Sequence, residues 1–263
     1  MNPILAVPAV VGGYLVLLGG IQLWSRLGKV DVETTRKSAH VGGALLTLPF
    51  PWIFPDLRLP LAISVGFMIL LEFTRRKGWL RAVHGVERPS RGAMLFPVGL
   101  FLGLSFAMIH HDPWIHVASV LELGICDCLA ALVGRRVGSV LPGRMPGEKS
   151  LEGSMAFLVS SLVVMATTLS FATALPFATV LVVAMGASLF LTWVEFVGRN
   201  GFDNLLIPIA VGLVFPLILH EELFGWAALG AGGVGMAGLL LSTSFRAMIH
   251  HFVVRLFLRS QIS

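Results

Sequence analysis

The chain has 263 residues, 56% of them hydrophobic and only 13% charged, and its mean hydropathy is +0.87. Soluble domains carry about 25% charged residues, so a water-soluble globule is excluded and one integral membrane domain over 1–263 is expected. The net charge of +5 then marks basic loops at one membrane face, not a nucleic-acid partner.

Apolar runs of about 20 residues recur along the chain, the length that crosses a bilayer. In order they predict about nine spans, near 3–24, 38–54, 57–73, 93–109, 115–134, 154–174, 176–197, 204–219 and 225–243. The second, third and eighth are short, which fits helices that dip, tilt little or break. No positive stretch precedes the first run, so a cleaved signal peptide is not expected. The predicted fold is all-α, a polytopic transmembrane helix bundle.

Charge orients it. Of the 19 Lys and Arg residues, all but Arg58 fall in alternate loops or the C-terminal tail. This asymmetry places the N-terminus outside and the C-terminus in the cytoplasm. After the last span, Phe245, Ile249, Phe252, Val253, Leu256 and Phe257 form an apolar stripe with Arg246, Arg255 and Arg259 off it. That pattern predicts an interfacial amphipathic helix over about 245–260. Gly230, Gly232, Gly233, Gly235 and Gly238 suit close packing of the last span, within one chain or across a homodimer. Cys126 and Cys128 point to opposite sides of one helix, so no disulfide joins them.

The fifth span, within "LELGICDCLAALVGRRVG" at 121–138, holds two carboxylates. A carboxylate inside a span usually faces the bundle interior or a water-filled cavity. Asp127 lies seven residues before Gly134, about 10 Å below the cytoplasmic end, and Glu122 about 7 Å deeper. Glu122 reads most simply as a structural group paired with an arginine of a neighbouring helix.

The loop that follows, "GRRVGSVLPGRMPGEKSLEGS", has glycines that let backbone approach a ligand closely, and Arg135, Arg136, Arg144 and Lys149 for phosphate oxygens. "GRMPGEKS" is spaced wrongly for a Walker A loop, and no strand precedes it. Lys149 and Ser150 stand just before a helix, whose N-terminus favours an anion. "RKSAH" places Arg36 and His40 four residues apart on one helix face. "VEFVGRNGFDNLLIP" sets Glu195 at the end of one span and Asp203 and Asn204 at the start of the next, where Asp203 also reads as a helix cap. Together these clusters bring His40, Asp127, Lys149, Glu195 and Asp203 to one membrane face. Cations for phosphates and carboxylates for Mg²⁺ are what phosphoryl or nucleotidyl transfer requires.

The set "RKSAH" (36–40), "ERPSRGAMLFPVG" (87–99), "CDCLAALVGRRVG" (126–138), "EKSLEG" (148–153) and "VEFVGRNGFDNLLIP" (194–208) resembles the polyprenol kinase family of membrane enzymes. That family includes phytol kinase, dolichol kinase and a CTP-dependent diacylglycerol kinase, and is related to phosphatidate cytidylyltransferase. The resemblance implies a CTP-dependent, Mg²⁺-dependent kinase for a lipid alcohol such as phytol, farnesol, a polyprenol or a diacylglycerol. It matches Asp127 to the family's acidic residue, Arg135 to the basic residue of its Gly-Arg, and Lys149 and Ser150 to its nucleotide loop. Asp203 and Asn204 match its Asp-Asn pair, and Arg36, Lys37 and His40 its Arg-Lys-x-x-His signature. One position departs: Cys126 stands where Gly is usual.

On this reading Asp127 and Asp203, with Glu195, hold the metal, and Arg135 and Lys149 meet the transferred phosphoryl group. A carboxylate or His40 handles the hydroxyl proton, and Arg88 and Arg91 hold a lipid or product phosphate. The alternatives are a cytidylyltransferase acting on a lipid phosphate and, from another class, an ion-coupled transporter using the intramembrane carboxylates.

Overall fold

The computed structural model describes residues 3–28, 30–85, 91–138 and 149–219, and among them there are helices and turns and no strand. Arg88, most of the loop after the fifth span, the ninth span with its glycines and the tail helix lie outside the described residues.

Helix α1 (Pro3–Leu27) is followed by α2 (Val32–Leu45), a short α3 (Phe50–Ile53), α4 (Arg58–Arg76) and a short α5 (Arg81–His84). Then come α6 (Gly92–Ile109), α7 (Pro113–Leu121), a π-helical turn (Glu122–Cys126), α8 (Asp127–Val137), α9 (Leu151–Ala172), α10 (Phe177–Val197) and α11 (Asp203–Leu219). Among the described residues five helices are long and apolar enough to cross a membrane: α1, α6, the continuous α7–π–α8 segment, α9 and α10. α11 is apolar but shorter. α4 has 19 residues, yet Glu72 and Arg75 lie in its last turns, so the polar end shortens its apolar length.

The second predicted span takes a different form. The sequence predicts one crossing over 38–54, whereas α2 begins at Val32 and ends at Leu45, and a turn leads into the single-turn α3. Both ends have local causes. Asp31 caps the start, its Oδ1 accepting from Glu33 N at 2.9 Å and Thr34 N at 3.2 Å, a contribution of about 1 kcal/mol. Beyond Leu45, Pro49 disfavours helical backbone at Leu48 before it and stands as the N-cap of α3, whose first turn holds Pro51. The other cap residues behave similarly. Asp112 accepts from Trp114 N ahead of Pro113, and Ser150 accepts from Gly153 N.

The main core lies between α7, α8, α9, α10 and α11, where Phe157, Met165, Leu191, Ile207 and Phe215 are fully buried. Between helices in lipid, close packing replaces the hydrophobic drive of water, and small residues permit it. Gly99 shows this on α6: a Cβ there would stand 1.9 Å from the carbonyl oxygen of Asn204 on α11. The outer faces stay apolar, with Val159, Val163, Phe171 and Val182 exposed, as suits a surface that meets lipid.

Candidate active site

The site begins at the π-turn. In an unbroken α-helix Asp127 N–H would bond the Leu123 carbonyl, but here it reaches back five residues to Glu122 O. Such bulges concentrate at functional sites. His40 Nε2 sits 3.0 Å from that Leu123 carbonyl. Because a carbonyl only accepts, Nε2 is the protonated ring nitrogen. Gly124, inside the turn, lets α2 come close: a Cβ there would be 2.7 Å from Ala44 Cβ. Lys37, His40 and Ala44 recur at i, i+3 and i+7 and so share the α2 face that meets the turn.

That face delivers charge to Asp127, which is 2% exposed. Lys37 Nζ lies 2.5 Å from Asp127 Oδ2, and His40 Nε2 lies 3.8 Å from the same oxygen. From the other side comes Lys149. Its Nζ lies 2.5 Å from Glu195 Oε1, 2.8 Å from Asp203 Oδ2 and 3.8 Å from Asp127 Oδ1. Ser154 donates to the second Glu195 oxygen at 3.3 Å. Four segments thus converge: the middle of α2, the start of α8, the entry to α9, and the α10–α11 turn. Removing one partner of such a buried pair leaves an uncompensated charge and costs about 3–5 kcal/mol.

Asp127, His40, Lys149, Glu195 and Asp203 therefore meet, as the sequence expects, and Lys37 joins them more directly than Arg36. Arg36 turns to Glu33 on its own helix, at 2.5 Å. Arg135 is half-exposed and bonds Asp31 Oδ1 at 2.7 Å, tying the end of α8 to the α2 cap. This contact and the Thr34 hydroxyl hold the Asp31 carboxyl well below the usual carboxylate range, the Thr34 hydrogen bond first. Ser150 caps α9. Asn204 Nδ2 donates to the Gly92 carbonyl at 2.8 Å, a strut between α11 and α6. Arg91 is exposed beside it, its backbone N–H on Asn200 O.

Three expectations take a different form. Among the described residues Glu122 pairs with no arginine: its Oε1 accepts from Ser161 Oγ at 2.8 Å, and the Cys126 thiol stands beside the carboxyl. Asp127 lies ten residues, about 15 Å, from the end of α8, because the helix runs on to Val137. Gly134 and Gly153 serve helix contact. A Cβ on Gly153 would stand 2.8 Å from Ala130 O, and this α8–α9 approach sets Lys149 over the site. Cys126 faces the apolar core at 0% exposure, away from the charged cluster, and both cysteines are free. The sequence reading missed Ser154, whose one signal is its spacing of five residues after Lys149.

Among the described residues no three His, Cys, Asp or Glu side chains stand as a ready metal site. The donor chemistry nevertheless suits a hard cation, since Asp127, Asp203 and Glu195 are all carboxylates. The ammonium of Lys149 now stands between them.

Fold and site together define a helical membrane protein with a buried cluster of carboxylates and lysines at one end of its bundle. The chain is 33% identical over 205 residues to an uncharacterized protein of Rickettsia prowazekii (strain Madrid E), covering 72% of this chain and 97% of that one. It belongs to one family with that protein. It is also 29% identical over 195 residues to a phytol kinase of Synechocystis sp., covering 73% of this chain and 82% of the kinase. This second match supports a phytol-kinase-like family. No family model matches the chain, and no solved structure matches it.

Proposed function

We propose that the chain is a lipid-alcohol kinase that uses CTP and Mg²⁺ at the cytoplasmic face of a membrane. The observation that carries this reading is the convergence of Asp127, Glu195 and Asp203 on Lys149, with Lys37 behind Asp127, in a chain similar to a phytol kinase. CTP as donor rests on the family resemblance.

Asp127 and Asp203, with Glu195, would hold the metal, which supplies charge neutralisation on the nucleotide phosphates. With the ion bound, the Lys149 ammonium need not neutralise these carboxylates and can meet a phosphate oxygen. Lys37 balances the Asp127 charge and holds the carboxylate in place. In the transfer, the alcohol oxygen forms a bond to the γ-phosphorus as the bond from that phosphorus to the β–γ bridging oxygen breaks. The hydroxyl proton passes to a carboxylate, leaving a lipid monophosphate and CDP. Phosphoryl transfer of this kind rests on positioning and electrostatic stabilisation. His40 Nε2 already donates to Leu123 O, which favours a carboxylate over this nitrogen as proton acceptor.

The test is direct. Purified protein in detergent is given γ-labelled CTP or ATP, Mg²⁺ and a pool of lipid alcohols, with Asp127→Asn as control. Labelled lipid from CTP, absent in the variant, is the expected result. Label entering phosphatidate from the α position alone would instead identify a cytidylyltransferase. Nucleotide-independent ion flux through reconstituted protein, with no transfer, would identify a transporter.

A further inference from the structure

Helix α4 closes in a way that brings two aromatic rings to the surface. Gly78, just past its last turn, has left-handed backbone at φ +68°. Gly78 N–H bonds Arg75 O at 3.1 Å, and Trp79 N–H reaches back to Thr74 O at 2.8 Å. This is a Schellman closure, which sets the second residue past the helix against an apolar residue near its last turn. Here that pair is Trp79 and Phe73, edge-on with ring centroids 5.7 Å apart. The pair is not buried: Phe73 is 47% and Trp79 59% exposed. Lys77 Nζ stands 5.9 Å from the Phe73 ring centroid, within cation–π reach. Leu80, also left-handed, then turns the chain into α5, where Ala82 O accepts from Thr35 Oγ1 of α2 at 2.9 Å.

Cations crowd this rim. Arg75, Arg76, Lys77 and Arg81 are all exposed. Arg26 borders them from α1: Gln22 Oε1 accepts from Ala82 N–H at 3.3 Å, and Arg26 lies one turn further along the same face. One carboxylate, Glu72, serves two of the arginines, with Arg75 Nε at 2.8 Å and Arg76 Nε at 2.7 Å. The acidic side chains at the start of α2 are engaged elsewhere, Asp31 with Arg135 and Glu33 with Arg36. Among the described residues Lys77 and Arg81 have no ion pair, so the rim keeps a net positive charge. Below it runs an apolar ridge. Leu61, Val65, Ile69 and Phe73 follow one another at four-residue spacing on α4, and all are exposed. Such a row is one of the natural ridges of a helix. It spans about 18 Å of helix axis, against about 15 Å for one leaflet of a bilayer core about 30 Å thick.

We propose that the end of α4 binds an anionic phospholipid of the surrounding bilayer, its headgroup phosphate on Arg76, Lys77 and Arg81 and an acyl chain along the ridge from Phe73 to Leu61. Arg76 and Lys77 lie three and four residues on from Phe73, so cations and ridge share one face. A soluble anion would use the cations and leave the ridge without a partner. An acidic protein segment could not follow the ridge into hydrocarbon. A zwitterionic lipid brings an ammonium of its own against the cations, which an anionic one does not. Trp79 and Phe73 sit between headgroup and chain, the level at which aromatic rings gather in membrane proteins. The site is independent of the reaction at the carboxylate cluster.

Native mass spectrometry of the full-length protein in detergent reads the preference. Phosphatidylglycerol and phosphatidylcholine with identical acyl chains are titrated in turn, and Kd is taken for the first lipid bound. The wild type is expected to hold phosphatidylglycerol at least tenfold more tightly. The exposed triple variant Arg76→Gln, Lys77→Gln, Arg81→Gln is expected to lose that preference, each missing cation weakening the anionic lipid about fivefold, with phosphatidylcholine unchanged. Equal binding of the two lipids by the wild type, or a preference that survives in the triple variant, overturns the proposal.

Photolabelling fixes the place on the unaltered protein. Phosphatidylglycerol carrying a diazirine beside its headgroup is expected to crosslink to residues 73–81. Excess unlabelled phosphatidylglycerol should remove the crosslink, and the same concentration of phosphatidylcholine or inorganic phosphate should leave it. Crosslinks confined to other helices overturn the proposal. Loss of the crosslink to inorganic phosphate would identify a free-anion site, and loss to a polyglutamate peptide a surface for an acidic protein, and either result overturns it.

Discussion

Two carboxylates five residues apart on one membrane segment meet opposite surroundings. Asp127 is ringed by Lys37, His40 and Lys149. Glu122 has the Ser161 hydroxyl on one oxygen, the Cys126 thiol beside it and, among the described residues, no cation. Both are buried and both are costly in a bilayer. The π-turn between them makes the difference. It redirects the Asp127 N–H, leaves the Leu123 carbonyl to His40, and seats α2 against the segment at Gly124. A carboxylate gathers charged partners where several helix segments meet, and a deeper one is met only by what the adjacent turn and the neighbouring helix offer.

The comparison can be broken by mutation. Asp127→Asn should lower lipid phosphorylation by roughly a hundred- to a thousandfold, and Glu122→Gln should leave the rate within about threefold of wild type. Equal losses would show that depth, not partners, decides the role. Next in size, Lys37→Met should lower stability in detergent by about 3 kcal/mol, because Asp127 is left with an unbalanced buried charge. Paired with Asp127→Asn the two losses should fall well short of additive in a melting experiment.

Ser161→Ala removes the hydroxyl from Glu122 and should cost about 1–3 kcal/mol of stability by the same melting measurement, with phosphorylation retained.

The smallest effect belongs to Asp31. Its folded-state carboxyl titrates below the unfolded one, held there by Thr34 and Arg135. Its contribution to stability is therefore present above about pH 4 and is lost as the pH falls toward the folded value. Asp31→Asn should flatten the decline in melting temperature between pH 5 and pH 3. High salt should weaken the half-exposed Arg135 contact in the wild type.

Much of this was legible in the chain. The ends of α6, α9, α10 and α11 fall within a few residues of the apolar runs, since span length and hydropathy are local properties. The convergence of Asp127, Lys149, Glu195 and Asp203 was also legible, because alternate loops of a helical membrane protein share one face. The break after Leu45 is signalled by Pro49, but the shortage of charge across 38–54 reads as one continuous span. The Ser161 partner of Glu122 carries no signal in sequence, since serine is common on both faces of membrane helices.

The amino-acid sequence by itself determined a helical membrane protein with its titratable side chains gathered at one end. Composition, periodicity and the cost of charge in lipid leave few other arrangements. Only the tertiary structure decided which cation meets which carboxylate. Lys37 and Asp127 are 90 residues apart, and Lys149 is 46 and 54 residues from Glu195 and Asp203. Pairings at that range depend on helix rotation and on close approaches at Gly124 and Gly153, which are set by packing between helices and not by any local run of residues.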